Sequence, residues 1–203
     1  MAILTLGVCL MPLLLPKLPA IAGPVQSGFG RGSKKLGFAT ANLPTSLFQE
    51  QMLHLESGVY AGYATLRDDT TKCVANVGFS PTFEQQNPEK IVEAHLLTEC
   101  GSDFYGEELR LLLVEYLRPE RKFDSLDSLV AQITKDARTA DNILDGAELR
   151  GLRSAPWLAD KGGPSPSYAL LDPQDCLRPP VPSSPQSEDG PDLFVPILVG
   201  VSF

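Results

Sequence analysis

VYAGYATLRDDTTKCVANVG, residues 59–78, holds two runs rich in β-branched and aromatic residues with a polar break between them. Residues 59–66 and 72–78 read as strands, and Arg67-Asp68-Asp69-Thr70 reads as the turn that joins them. A connection this short cannot carry a crossover helix, so the two strands are expected to be antiparallel neighbours. Working outward, 91–98 (IVEAHLLT) and 109–117 (LRLLLVEYL) are two further strand candidates, separated by GSDFYG at 101–106. One long helix follows. It starts near Asp124 or Ser125, either of which can cap it, has Asp127 in its first turn, and carries Leu126, Leu129, Val130, Ile133, Ala137 and Ala140 as one apolar stripe. A lone helix of about 20 residues beside several strands predicts a small closed or strongly curled sheet with the helix over one side or end. The crossover helices of a doubly wound dinucleotide fold are missing, and no repeat of 20 to 50 residues marks a solenoid.

The 203 residues suffice for one domain with tails. With 17 Lys+Arg against 25 Asp+Glu the net charge is −8, which argues against a broad nucleic-acid footprint and leaves room only for a local anion site. Cys9, Cys73, Cys100 and Cys176 show no paired spacing and only His54 and His95 accompany them, so neither a zinc-finger ligand set nor a disulfide scaffold is expected. Residues 1–22 form an apolar N-terminal extension or targeting segment. MAILTLGVCLMPLLL at 1–15 is too short to span a bilayer, and it lacks the positive n-region of a secretory signal although Ala20-Ile21-Ala22 offers small residues for cleavage. Stable membrane insertion is therefore not expected and a cytoplasmic monomer is the default, with organellar or secretory targeting left open. Residues 23–160 are expected to form the folded domain. Residues 161–203 read as an acidic, Pro-rich, disordered tail, since nine of the 18 prolines fall in 162–203 with five acids and one Arg.

Four groups of residues can do chemistry. The run GFGRGSKKLG at 28–37 offers Gly28, Gly30 and Gly32 for close backbone approach to an anion, with Arg31, Lys34 and Lys35 adding positive charge. It departs from the Walker pattern, and composition alone leaves a phosphate cradle and a flexible basic turn both open. Thr40 and Asn42, at i and i+2, share a face of any extended segment. They suit two roles, neutral ligands to a magnesium ion held mainly by phosphates and water, or a turn-capping pair. Glu93 and His95 share the polar face of the 91–98 strand opposite Val92 and Ala94. Glu93 is either a base for a hydroxyl nucleophile in phosphoryl transfer or part of a solvated strand face, and His95 reads as a structural hydrogen-bonding partner. Arg118 either organises its loop or recognises a phosphate or the polar edge of a flavin. Tyr60, Tyr63, Phe104 and Tyr105 could line an aromatic pocket, although sheet packing accounts for most such residues.

Taken in order, GFGRGSKKLGFATAN at 28–42, GVYAGYATL at 58–66, VANVGFSPTF at 74–83, VEAHLL at 92–97 and DFYGEELRLLLVEYLRPERKFDSLDSLVAQITKDA at 103–137 resemble the riboflavin kinase (flavokinase) family. The resemblance covers roughly residues 23–158. It implies a mainly β, six-stranded antiparallel Greek-key barrel with a C-terminal α-helix. It also implies an enzyme that moves the γ-phosphoryl group of ATP to the ribityl 5′-hydroxyl of riboflavin, giving FMN and ADP. By that likeness Gly28, Gly30, Gly32 and Lys34 receive ATP phosphates, Thr40 and Asn42 hold Mg²⁺ or another divalent cation, Glu93 is the base, and Tyr105 and Arg118 belong to the flavin side. Two positions depart from the family's pattern: Ala39 stands where it commonly has Pro before Thr-Ala-Asn, and Ser80 where it commonly has Asn before Pro. They motivate the alternative expectation of a catalytically weak or inactive flavin- or nucleotide-binding barrel.

Overall fold

The hairpin expected at 59–78 forms, and the rest of the sheet is assembled around it. The structure, a computed structural model, describes residues 14–27, 40–79 and 89–178. Strands β3 (Gly58–Leu66) and β4 (Asp69–Phe79) pair antiparallel from Leu66↔Asp69 through Gly58↔Val77, joined by the two residues Arg67 and Asp68. Arg67 has φ 59, the left-handed conformation a tight hairpin turn demands, and its Nε and Nη2 each donate to the Glu107 carboxylate at 2.7 Å. Strands β5 (Lys90–Leu96) and β6 (Glu108–Arg118) extend the sheet on either side of this hairpin. With β1 (Leu18–Pro24), β2 (Thr40–Asn42) and β7 (Ser167–Leu171), the order is β2-β5-β4-β3-β6-β1-β7, antiparallel throughout.

The closed six-stranded barrel is not what forms. The sheet has seven strands and curls into an open half-barrel whose edges stand 14 Å apart. Strand β1 shows why. One of its edges pairs with β6 and the other, along Leu18–Ala22, is taken by β7, so the edge that closure onto β2 would need is already occupied. Among the described residues, Gln26 reaches across after β1 and forms a single bridge to Asn42. A three-residue β2 adds no further ladder there.

The expected segment boundaries shift for the same reason. Strand β1 begins at Leu18, inside the 1–22 extension, and Leu18, Ala20, Ile21 and Ala22 are fully buried. Ser167–Leu171, inside the Pro-rich stretch expected to lack structure, supplies β7, and Cys176 of the short α5 (Pro173–Cys176) is buried. Residues 1–13 and the apolar stretch at 193–201 lie outside the described residues.

Two apolar clusters occupy the two faces of the sheet. The concave face holds Ile21, Ala41, Tyr60, Val92 and Leu111, with Met52 of α1 (Gln49–Met52) among them. Lys90 is buried beside α1 and donates through Nζ to the carbonyl oxygens of Met52, at 3.1 Å, and Leu55. The convex face packs Val59, Tyr63 and Leu112 against Ala140 and Leu144 of α2 (Leu126–Leu144), with α3 (Ala147–Arg150) and α4 (Pro156–Ala159) adding Leu149 and Leu158.

Helix α2 starts where the sequence placed it. Ser125 is the N-cap, its Oγ accepts from Ser128 N–H at 3.2 Å in a reciprocal capping box, and Asp127 lies in the first turn. The buried positions differ from the expected stripe. They are Gln132, Asp136, Ala140 and Leu144, whereas Leu126 is 60% exposed. The second half of the helix is seated by apolar contact, by Tyr63 Oη donating to Leu144 O at 2.9 Å, and by Lys72 donating to Asp141. The first half is held by a polar network, described below.

Candidate active site

Strand β5 alternates as period-two geometry requires. Val92 and Ala94 are fully buried on the concave side, which leaves Glu93 and His95 on the convex side, half-buried. Register then decides their neighbours. Across the β2–β5 ladder Asn42 faces Glu93 and Thr40 faces His95; across β4–β5 Asn76 faces Glu93 and Val74 faces His95. Directly opposed residues have Cβ atoms about 4.5–5.5 Å apart, so Asn42, Glu93 and Asn76 make one row of polar side chains with Thr40 one row away. The structure thus brings together three residues expected to act together, Thr40, Asn42 and Glu93. Burial pushes the His95 imidazole below its ordinary range, which keeps it neutral at pH 7 and suits a structural role better than a cationic one.

Strand β2 is short, and backbone contacts beyond it fix its position. Gln26 N–H donates to Asn42 O at 2.8 Å, and Leu43 N–H donates to Val92 O at 3.1 Å. The turn that carries Tyr105 is tied into the same region. Gly106 N–H donates to Val25 O at 2.8 Å and Val25 N–H donates to Glu107 O at 2.9 Å, so only Val25 and Gln26 separate that turn from Asn42. Gly106 has φ 79, a conformation that disfavours any side chain even though open space surrounds the position. Tyr105 is half-exposed, at 52%. Tyr60, Tyr63 and Phe104 are buried, and the packing reading holds for them.

Arg118 lies in the same cross-strand row as Glu93, by way of Asn76 and Val59. Three strand spacings separate the two, about 14 Å along the sheet. Its guanidinium grips Asp136 of α2: Nε lies 3.1 and 3.0 Å from the two carboxylate oxygens and Nη2 2.7 Å from Oδ2. Gln132 Nε2 donates to Asp136 Oδ1 at 2.6 Å and Arg121 Nη2 donates to Gln132 Oε1 at 2.5 Å. This network seats the first half of α2 and organises the loop at 119–125. Arg118 thus ties the end of β6 to α2.

Between these points Asn76 Nδ2 donates to Glu120 Oε1 at 3.1 Å. Asn76, Glu120 and Asp136 escaped the sequence reading. Alternation along 72–78 puts Asn76 on the polar face, yet only the register sets it beside Glu93. Gly28, Gly30, Gly32 and Lys34, expected at the phosphates, lie outside the described residues, as do Ala39 and Ser80.

As a metal site, the donor set is neutral oxygen. Among the described residues no group of three or more His, Cys, Asp or Glu could hold an ion, so protein carboxylates and imidazoles do not make a cage. Thr40 and Asn42 fit a hard cation that takes most of its ligands from phosphate and water, which is how Mg²⁺ binds beside nucleotides.

The sheet is curled and antiparallel and carries hydroxyl, amide and carboxylate groups on one face. The family model for riboflavin kinase (flavokinase) matches residues 15–144. A bifunctional riboflavin kinase/FMN phosphatase of Arabidopsis thaliana is 45% identical over 139 residues, covering 68% of this chain and 36% of that protein. The riboflavin kinase of Mus musculus is 41% identical over 124 residues, covering 61% of this chain and 79% of that protein. The crystal structure of riboflavin kinase from Trypanosoma brucei superposes with a TM-score of 0.63 at 22% identity, over 76% of this chain and 98% of that one, a likeness of fold. This chain belongs to the riboflavin kinase family. It spans about a third of the length of the plant relative and about four fifths of the mouse one.

Proposed function

We propose that this chain is an ATP-dependent riboflavin kinase that phosphorylates the ribityl 5′-hydroxyl of riboflavin to give FMN and ADP. One observation supports this reading most directly: Glu93 stands beside Asn42, with Thr40 in the adjacent row, on the convex face of the sheet of a riboflavin kinase family member. A ribityl alcohol is not ionised in neutral water. Glu93 accepts its proton as the new P–O bond forms, which avoids a free alkoxide. Thr40 and Asn42 hold Mg²⁺, which when bound neutralises phosphate charge at the transferring group. The backbone N–H groups around Gly28, Gly30 and Gly32, with Lys34, take the nucleotide phosphates. Tyr105, on the turn tied to β2 through Val25 and Gln26, offers an aromatic face on the flavin side. Arg118, bound to Asp136, fixes the loop that follows β6 to α2.

The test is FMN formation by the purified full chain, with ATP and Mg²⁺ supplied and each omitted in turn. Turnover that requires both supports the kinase. Saturable riboflavin binding by folded protein without turnover, at enzyme concentrations that expose slow activity, supports the weak or inactive flavin-binding reading instead.

A further inference from the structure

We propose that Asn76 and Glu120 form a positioning pair for Glu93, an assignment that rests on the kinase reading above. Glu93 is flanked on the sheet by two asparagines. Asn42 on one side belongs with the metal ligands, and Asn76 on the other is its partner in the β4–β5 ladder. The Asn76 side chain is not left to rotate. Its Nδ2 donates to Glu120 Oε1 at 3.1 Å, and an ionised carboxylate can only accept, so the amide must present its N–H₂ to Glu120 and keep its carbonyl oxygen for another donor.

Glu120 is in turn placed by the residues on either side of it. Arg118 is locked to Asp136 and Arg121 to Gln132, while Gln132 bonds Asp136, so the four-residue stretch from Arg118 to Arg121 is clamped to α2 at both ends. The carboxylate settles on the sheet over Gly78, where a Cβ would lie 2.1 Å from Oε1. A glycine one alternation beyond Asn76 therefore makes the space that lets Glu120 reach it. Helix α2, Glu120, Asn76 and Glu93 form a continuous series in which helix docking sets the orientation of an amide beside the reacting carboxylate. An amide held in one orientation excludes alternative rotamers and restricts where Glu93 can lie, and misplacement on the ångström scale costs up to about 100-fold in rate.

The experiment uses the full chain and measures kcat and KM for riboflavin and ATP in Asn76→Ala, Glu120→Ala, Glu120→Gln and the Asn76→Ala/Glu120→Ala double variant, with Glu93→Gln as reference. The pair predicts a kcat lower by roughly 10- to 100-fold in either alanine variant, with both KM values nearly unchanged. Glu120→Gln, whose amide oxygen still accepts from Asn76, should restore most of the rate. The double variant should be no slower than the worse single one, because both remove the same link. Glu120 is exposed, so its truncation leaves the core intact if Asn76→Ala disturbs folding. Unchanged kcat in Glu120→Ala, additive losses in the double variant, or losses confined to KM overturn the pair. Full activity in Glu93→Gln overturns instead the assignment of the base, so the two failures are separable.

Discussion

Asn42 on β2 and Glu93 on β5 stand directly opposite each other in an antiparallel ladder, which sets a side-chain amide and a carboxylate side by side on the convex face of the sheet. These two residues lie 51 positions apart in the chain, and their meeting defines the proposed centre of phosphoryl transfer.

Replacing Glu93 by Gln keeps the shape of the side chain and removes its capacity to accept a proton. Turnover should fall by roughly 10²- to 10⁴-fold while the thermal unfolding midpoint stays close to that of the parent. Steady-state FMN formation alongside a melting curve checks both halves. A parent-like rate would eliminate Glu93 as the base.

Asn42→Ala should raise the Mg²⁺ concentration needed for half-maximal activity several-fold, with riboflavin affinity preserved. A magnesium titration at fixed ATP and riboflavin measures this. An unchanged magnesium requirement would remove Asn42 from the metal.

Arg118→Ala leaves Asp136, a carboxylate whose side chain is only 8% exposed, without its cation. Breaking such a pair from one side costs about 3–5 kcal/mol. Urea unfolding should show a loss of that order, and riboflavin affinity measured under conditions where the variant is folded should change little. A stable variant that binds riboflavin poorly would return Arg118 to direct flavin contact.

Burial pushes the Glu115 carboxyl above its ordinary value, and its Oε2 has no hydrogen-bond partner among the described residues. A raised folded-state pKa means that the folded protein holds this proton more tightly than the unfolded chain. Stability from this group therefore declines as pH rises above 4.5 and through the folded-state value. Glu115→Gln should melt higher than the parent at pH 7.5, and the gap should narrow toward pH 4.5. A gap that does not vary with pH would show that the charge is not what matters there.

At Gly62, next to an irregularity in the β3–β6 ladder, a Cβ would lie 2.2 Å from the Leu112 carbonyl oxygen. Backbone cannot move aside as a flexible side chain can, so Gly62→Ala should destabilise by about 1–3 kcal/mol in denaturant unfolding. Gly78→Ala, which meets only the end of the Glu120 side chain, should cost much less.

Much of this protein is legible in one dimension. Runs of apolar, β-branched and aromatic residues bounded by polar turns placed β3 to β6 to within three residues at each end, because such side chains suit a pleated sheet buried on one or both faces. The cap at Ser125 was readable because unsatisfied N–H groups of a first turn recruit a nearby hydroxyl. The pairing of Thr40 with Asn42 and of Glu93 with His95 on common faces followed from a strand's period of two. Which strands meet is a different matter. Pairing of β2 with β5 and of β7 with β1 is between segments distant in the chain, decided by competition for strand edges and not by local preference. That competition left the sheet open, drew Ser167–Leu171 out of a stretch that reads as tail, and made residues before 23 part of the core. Helix α2 shows the same division: its position is local, but the polar face that seats its first half became visible only when Arg118 and Asp136 met. The residue types proposed for the chemistry, and the strand faces they share, were legible in the sequence alone. Tertiary structure decided which of them are neighbours, since register and edge pairing depend on contacts among all the strands at once.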